Sequence, residues 1–123
     1  MLESCPVTPN CVSSLAQDAE HRIEPFVFSE DAAEAMAHLK MALLKEKRGL
    51  VIKEQGSYLH AEVRSLIFRF VDDIEFLLDA DQGVIQVRSA SRTGRSDFGV
   101  NRRRVERIRD HYLMYQDSGN AAK

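Results

Sequence analysis

Residues 58–64, YLHAEVR, alternate between apolar and polar side chains, and this stretch decides the class of fold. Successive side chains of a strand point to opposite faces, so Leu59, Ala61 and Val63 fall together on one face. The polar residues between them fall on the other face. This pattern predicts a strand with one buried face and one polar face, as in an antiparallel sheet that is covered on one side.

Further strands are predicted on both sides of this stretch. Residues 50–52 are apolar and lead through a glycine-containing turn into it. Residues 72–78 and 84–90 flank the loop 79–83, DADQG, which ends on the glycine that a hairpin favours. Residues 65–71 interrupt the alternation, and this predicts a bend or a bulge.

Helices are predicted on either side of these strands. The chain from Ser29, the expected N-cap, to Lys47 is rich in strong helix formers, and a second helix is predicted from about Val100 to Gln116. Apolar residues recur in both at intervals of three to four. Together these elements predict an α+β fold, an antiparallel sheet of about four strands with two main helices packed on one face. The expected core residues are Met36, Leu39, Leu43, Val63, Phe68, Phe76, Val87, Val105 and Ile108.

Length and composition favour one folded domain. The chain has 123 residues, of which 44% are hydrophobic and 29% are charged, as is ordinary for a globular protein. Residues 1–21 contain Pro6 and Pro9 and are predicted to form an irregular N-terminal arm. Residues 22–117 are predicted to form the α+β domain, and residues 118–123 a polar tail.

The charge balance and the absence of long apolar runs limit the possible partners and locations. The net charge of −2 argues against bulk binding to nucleic acid or to a membrane surface. No run approaches the roughly 20 apolar residues that a membrane span needs. The first residues carry neither the basic nor the apolar part of a secretory signal. A soluble, cytoplasmic domain without a membrane span is therefore expected from the chain as given.

Cys5 and Cys11 are the two cysteines of the chain. Free thiols, a local disulfide and a metal or catalytic role are all open from the sequence. Two cysteines without a neighbouring histidine make a poor zinc site, so no metal is expected there. A turn at Pro6 to Asn10 would bring the two Cα atoms within about 7 Å, the distance that a disulfide requires.

Three long stretches resemble a known family. They are CPVTPNCVSS at 5–14, YLHAEVRSLIFRFVDDIEF at 58–76 and VIQVRSASRTGRSDFGVNRRRVERIR at 84–109. Together they are similar to the signature of the bacterial and plastid family catalogued as domain of unknown function 1499. The resemblance implies a shared fold and a role that is not established, and it supplies no catalytic residues. It also implies that relatives often carry an N-terminal membrane or export segment.

Arg102, Arg103 and Arg104 stand at the predicted start of the second helix. Cations are unfavourable there, because a helix N-terminus carries partial positive charge. Successive helical residues lie about 100° apart, so Arg104 is expected to turn inward and pair, while Arg102 and Arg103 are expected to stay free. The acidic residues available for pairing are Asp72, Asp73, Glu75 and Asp97.

An anion site is the functional alternative to internal pairing. Helix N–H groups and arginine side chains together suit a phosphate or a carboxylate. Gly94 and Gly99 have the spacing of a P-loop, but Val100 and Asn101 stand where Lys and Ser or Thr are needed, so no nucleotide cofactor is expected. The predicted ligand-binding residues are Arg92, Gly94, Arg95, Ser96, Arg102 and Arg103.

The polar row His60, Glu62 and Arg64 is the candidate for catalysis. A histidine beside a carboxylate and an arginine suits acid–base chemistry, although such rows more often form cross-strand pairs. A metal at the acidic run after residue 71 is not expected, because Asp73 and Glu75 share a strand face that Asp72 does not.

The sequence therefore leaves two functions open. The leading prediction is a non-enzymatic binding or accessory module that recognises an anionic small molecule or a partner protein through the arginine-rich loop and helix start. The alternative is an enzyme of unknown reaction that uses the row His60, Glu62 and Arg64. Neither prediction includes nucleic acid as a partner or a bound cofactor.

Overall fold

The computed structural model describes residues 2–65, 70–93 and 99–121. Strands and helices occupy most of these ranges, and the expected α+β class is confirmed. The strands are β1 (Cys11–Ser13), β2 (Phe26–Val27), β3 (Gly49–Gln55), β4 (Tyr58–Arg64), β5 (Val71–Asp79) and β6 (Val84–Ser91), and the helices are α1 (Ala32–Leu43) and α2 (Val100–Ala121).

The sheet is antiparallel, with the strand order β1-β6-β5-β4-β3, and β2 also pairs with β6. It has six strands, so the prediction of about four is wrong. The two additional strands are only three and two residues long, too short to show an alternating pattern. They form because β6 would otherwise be a free edge with unpaired backbone groups.

One face of the sheet forms the core. Leu59, Ala61 and Val63 of β4 are all buried, as their alternation predicts. Side chains from α1 and α2 complete the same apolar cluster, so both helices cover this face. Of the predicted core residues, Leu39, Leu43, Val63, Phe76, Val87, Val105 and Ile108 are buried, Met36 is partly buried against them, and Phe68 lies outside the described residues.

The bounds of both helices differ from the prediction. Asp31, not Ser29, is the N-cap of α1, and its Oδ1 accepts a hydrogen bond of 2.8 Å from the backbone N–H of Glu34. The helix ends at Leu43 rather than Lys47, because the chain turns there into β3. Helix α2 continues to Ala121, so part of the expected polar tail is helical.

The N-terminal arm lies against β6 and α2. Cys5 and Cys11 form a disulfide with their Cα atoms 5.7 Å apart, which confirms the predicted distance. Cys11–Ser13, within the arm that was expected to be irregular, forms β1. The side chain of Asn101, buried at the start of α2, donates to the backbone oxygen of Asn10 over 3.2 Å and so ties the arm to the helix.

Two observations bear on where the protein works. Within the described residues, no helix is long and apolar enough to cross a membrane. Disulfides persist mainly in oxidising compartments, so the Cys5–Cys11 bond does not support the expected cytoplasmic location.

A buried carboxylate joins the two helices. Glu30 precedes α1, and its side chain accepts hydrogen bonds from Gln116 over 2.7 Å and from Tyr112 over 3.0 Å, while His38 Nδ1 lies 2.8 Å away. Burial alone would raise the pKa of Glu30, but these hydrogen bonds outweigh it and lower the pKa to about 2. The network fixes α1 and α2 antiparallel to each other.

The free energy of unfolding is expected to depend on pH through the hydrogen bonds of Glu30. A lowered carboxyl pKa stabilises the fold above the unfolded-state value near 4.5, and this stabilisation is lost as the pH falls towards 2. The whole shift corresponds to about 3 kcal/mol, of which about 2–3 kcal/mol is lost by pH 2.5. Urea unfolding between pH 6 and pH 2.5 should show this loss, and in the variant Glu30→Gln the loss should be smaller by that amount. An identical pH dependence in both proteins would contradict the assignment.

Candidate functional site

The candidate catalytic row lies on the face of the sheet opposite the helices. His60 Nε2 is 2.9 Å from Asp73 Oδ1 on the neighbouring strand β5. Arg92 donates to Asp73 from its Nε over 2.8 Å and also contacts Glu62. Arg64, at the end of β4, reaches Glu62 at 3.5 Å. The row is therefore part of a cross-strand ladder in which each charged group already has a partner.

The ladder keeps Asp73 ionised. The hydrogen bond from Arg92 is the main cause that lowers the pKa of Asp73, partial burial opposes it, and the hydrogen bond from His60 lowers it further. In turn, the bonds to Asp73 and Glu62 raise the pKa of Arg92. Arg92 is a predicted ligand-binding residue, and the structure places its guanidinium against the carboxylates of Asp73 and Glu62.

The three arginines at the start of α2 point in three directions. Arg104 turns inward and donates to Asp72 over 2.6 Å, with both side chains buried, so its predicted pairing is confirmed. Arg102 was expected to be free, and this is wrong: its guanidinium donates to the backbone oxygens of Arg22 and Glu20 over 2.8 and 3.0 Å. Arg103 is exposed, yet it also has a partner.

The remaining predicted residues separate into two groups. Gly94, Arg95, Ser96 and Asp97 lie outside the described residues. Asp72 faces the core, whereas Asp73 and Glu75 face outward, so the three acidic residues do not converge on one point.

A cleft of about 490 Å³ lies between the turn that joins α1 to β3, the end of β4 and the first turns of α2. We call it the basic cleft. Its charged lining consists of six cationic side chains and a single carboxylate, that of Glu46. The residues lining it are Lys45, Glu46, Lys47, Arg48, Val63, Arg64, Ser65, Val100, Arg104, Arg107 and His111.

Ion pairs within the protein neutralise only part of the positive charge of the basic cleft. Glu46 is buried and accepts from Arg107 at both carboxylate oxygens, over 2.8 and 3.3 Å. Arg104 is held by Asp72, outside the lining. Lys45 and Lys47 are exposed and form no ion pair with any described residue. A surplus of positive charge therefore faces the opening.

Two buried nitrogen atoms on residues that line the basic cleft have no hydrogen-bond partner among the described residues. They are Arg104 Nε and His111 Nδ1. A carboxylate oxygen of Glu46 lies 3.9 Å from Arg104 Nε, which is too long for a hydrogen bond. Buried polar groups are normally satisfied, so each unpartnered atom requires an explanation, such as a ligand or an ion.

The backbone at the rim of the cleft is strained. Arg48 has a φ of 61°, in the left-handed region that residues other than glycine seldom adopt. Its Nε donates to the backbone oxygen of Arg64 over 3.0 Å, and Arg64 N–H donates to the Arg48 oxygen over 3.2 Å. Strained residues of this kind cluster at functional sites. These two bonds hold Arg48 at the opening.

The sequence did not identify most of this cleft. In the sequence, the pattern of a basic last helical turn accounts for Lys45, Lys47 and Arg48. The pattern of an exposed helix face accounts for Arg107 and His111. The available signal was the concentration of cations around residue 47. Only the antiparallel packing of α1 and α2 places that segment beside Arg107.

A second hollow of about 490 Å³ lies along the N-terminal arm. Its lining includes Glu3 and Asp18 and no cationic side chain. Asp18, Glu20 and His21 nearby form the only group of potential metal ligands found within the described residues. His21 uses both ring nitrogens for Asp18 and for the backbone oxygen of Thr8, so this group holds the arm together.

Comparison with protein families identifies the family of the chain. A family model described as "Protein of unknown function (DUF1499)" matches residues 1–111. No curated protein matches the chain. The matched residues extend from the arm through the whole sheet to His111, and they therefore include every residue that lines the basic cleft.

Proposed function

We propose a function from the structure of this chain, which belongs to the DUF1499 family of proteins of unknown function. The domain is a non-enzymatic module that binds an anionic group, of a small molecule or of a partner protein, in the basic cleft. The observation that carries the proposal is the pair of buried, unpartnered nitrogen atoms, Arg104 Nε and His111 Nδ1. A buried donor left unpaired costs about 1–3 kcal/mol. A ligand oxygen that displaces the side chains covering these atoms would recover this cost at Arg104 Nε–H, and at His111 Nδ1 in the tautomer that carries its proton there.

The charge of the basic cleft favours an anion. Phosphate and carboxylate oxygens form their strongest hydrogen bonds with arginine and lysine. Lys45 and Lys47 provide exposed charges at the rim, and Arg104 provides a buried donor. Glu46 does not cancel this charge, because Arg107 already binds both of its carboxylate oxygens.

This site replaces part of the site that the sequence predicts. The start of α2 is retained through Arg104, but Arg92 and Arg102 are excluded as free donors by their own partners. Gly94, Arg95 and Ser96 precede α2 in the chain, and their contribution to the site stays a prediction.

The alternative, an enzyme that uses His60, Glu62 and Arg64, receives less support. Asp73 holds His60, and Arg92 holds Glu62, so both groups are engaged within the sheet. We assign this row a structural role as a cross-strand ladder.

Inorganic phosphate and citrate are expected to raise the melting temperature by several degrees at constant ionic strength, because a ligand that binds only the native state stabilises it. The variant Lys45→Gln/Lys47→Gln removes two cations of the rim that form no ion pair with any described residue. We expect it to weaken anion binding roughly tenfold and to melt near the wild-type temperature without ligand. Differential scanning fluorimetry measures both effects.

The variant Lys40→Gln/Lys53→Gln is the matched control, since it removes the same net charge from positions outside the basic cleft. It should retain wild-type affinity for both anions. If neither anion shifts the melting temperature, or if the two double variants lose affinity equally, the cleft is not a specific anion site.

A further inference from the structure

Strand β3 presents a free edge of the sheet. Among the described strands it pairs only with β4, and it is the last strand in the sheet order. All seven of its residues are exposed. One side of its backbone therefore offers N–H and C=O groups that no described strand uses, which is the template that an added strand requires.

The same edge is unusually apolar for a surface. Leu50 is 65% exposed and Ile52 is 46% exposed, and Leu44, from the turn before β3, is 78% exposed. Met41 of α1 is exposed as well. Leu44 and Leu50 line the same small hollow, and neighbouring exposed apolar side chains mark interaction surfaces more often than isolated ones do.

Charge selects the kind of partner for this edge. Lys53 lies on β3 and has its ammonium group 5.9 Å from the ring centre of Tyr58. Glu54, the single acidic residue of the strand, is paired with Lys40 at 2.9 Å. A second copy of the chain would bring another Lys53 to the contact, with its acidic neighbour Glu54 already paired, whereas an acidic segment would neutralise Lys53.

The free edge begins at the basic cleft. Arg48, at the rim, directly precedes Gly49, the first residue of β3, and Arg64 ends the paired strand β4 on the same side. A strand added to β3 would therefore have one end at the cleft. A carboxylate at that end would lie among the cations that the proposed function assigns to anion binding.

We infer that the edge of β3 binds an extended acidic segment of a partner protein as an additional strand, with a carboxylate of that segment in the basic cleft. This inference rests on the proposed function and names its ligand class. Backbone hydrogen bonds along β3 provide affinity, and the cleft and the exposed apolar side chains select the sequence.

The irregular pairing of β3 with β4 favours an edge that accepts only certain strands. The pairing register with β4 shifts between Val51 and Lys53. Bulges and lysines on edge strands limit unspecific pairing. A carboxylate of an acidic segment can pair with the ammonium group of Lys53, which otherwise disfavours an added strand. A neutral or basic strand cannot form this pair.

A phage-displayed library of random twelve-residue peptides provides the first test. Selection on the full chain is expected to enrich peptides that combine alternating β-branched or apolar residues with Asp or Glu near one end. The variant Lys45→Gln/Lys47→Gln should enrich these sequences about tenfold less. If wild-type protein enriches no acidic peptides over this variant, the inference is wrong.

Backbone methylation of the best peptide separates strand addition from simple charge attraction. Only alternate N–H groups of an added strand face β3. Of two synthetic peptides that are N-methylated at the odd or at the even positions, one should therefore bind at least about tenfold more weakly, and the other should bind nearly as the parent, measured by fluorescence anisotropy. Equal affinity of the two methylated peptides would overturn strand addition.

The remaining outcomes distinguish this inference from the proposed function. Phosphate binding without peptide binding overturns the β3 inference and leaves the anion site standing, whereas loss of both overturns both. Sedimentation with phosphatidylserine vesicles, in the absence of peptide enrichment, would assign the surface to a membrane instead. A dimer in analytical ultracentrifugation that the acidic peptide cannot dissociate would assign the edge to a second copy.

Discussion

Arg104→Met is expected to lower the free energy of unfolding by about 3–5 kcal/mol, because it leaves the buried carboxylate of Asp72 without its counter-charge. Arg104 Nη1 donates to Asp72 Oδ2 over 2.6 Å, and both residues are less than a tenth exposed. Arg104 also donates to Asn101, the residue that anchors the arm. Urea unfolding followed by circular dichroism measures the loss.

Two further variants separate this effect from a loss of packing. Arg104→Met/Asp72→Leu replaces the whole pair by apolar side chains and should recover much of the stability, since a buried pair often contributes little net energy. Arg103→Met, on the neighbouring exposed position, should cost less than about 1 kcal/mol. Equal losses for the single Arg104 variant and the double variant would show that the unpaired Asp72 is not the cause.

Phe76→Ala is expected to cost about 3–5 kcal/mol, from lost burial and from the cavity that the ring leaves. Phe76 is fully buried on β5, and its ring centre is 5.6 Å from that of Phe26. Phe26 in turn lies 5.7 Å from the ring of Tyr112 on α2. The substitution therefore removes the aromatic contact between β5 and β2 that supports Phe26 against Tyr112 of α2.

Val27→Ala provides the control for Phe76→Ala. Val27 adjoins Phe26 on β2 but is 68% exposed, so its truncation should change the free energy of unfolding by less than about 0.5 kcal/mol. Chemical denaturation of the two variants under the same conditions gives the comparison. A loss below 0.5 kcal/mol for Phe76→Ala would mean that β5 presents its other face to the helices.

The polar residues at the start of α2 serve mainly to join parts of the fold. The stretch 100–104 contains Asn101, which is buried and joins the arm to α2, and Arg104, which neutralises Asp72. Arg102 holds the backbone of the segment that follows the arm. These residues mainly assemble the fold, and within the stretch only Val100 and Arg104 line the basic cleft.

The periodicity of apolar residues predicted the buried face of an element wherever the pattern extended over several residues. The alternation of Leu59, Ala61 and Val63 predicted the buried face of β4, and the helical spacing of Val105 and Ile108 predicted the buried face of α2. Both patterns express a local rule, since the backbone geometry of a strand or a helix fixes which side chains share a face. The helical rotation of 100° per residue likewise predicted that Arg104 turns inward.

The sequence did not predict which acceptor each arginine side chain binds. Arg102 was expected to be free, yet it binds two backbone oxygens of a segment some 80 residues earlier in the chain. Arg92 was expected to meet a ligand, yet it meets Asp73 and Glu62 on neighbouring strands. A cation and its distant acceptors carry no common local signal, because only folding sets the distance between them.

The sequence by itself determined the α+β class, the hairpins, the buried faces and the closeness of Cys5 to Cys11, because each depends on residues within a few positions of one another. The tertiary structure alone decided the six-stranded sheet, since β1 and β2 exist only as partners of β6. It also decided the basic cleft. Lys47 and Arg107 lie 60 positions apart, and the antiparallel packing of two helices on one sheet face brings them to the same opening.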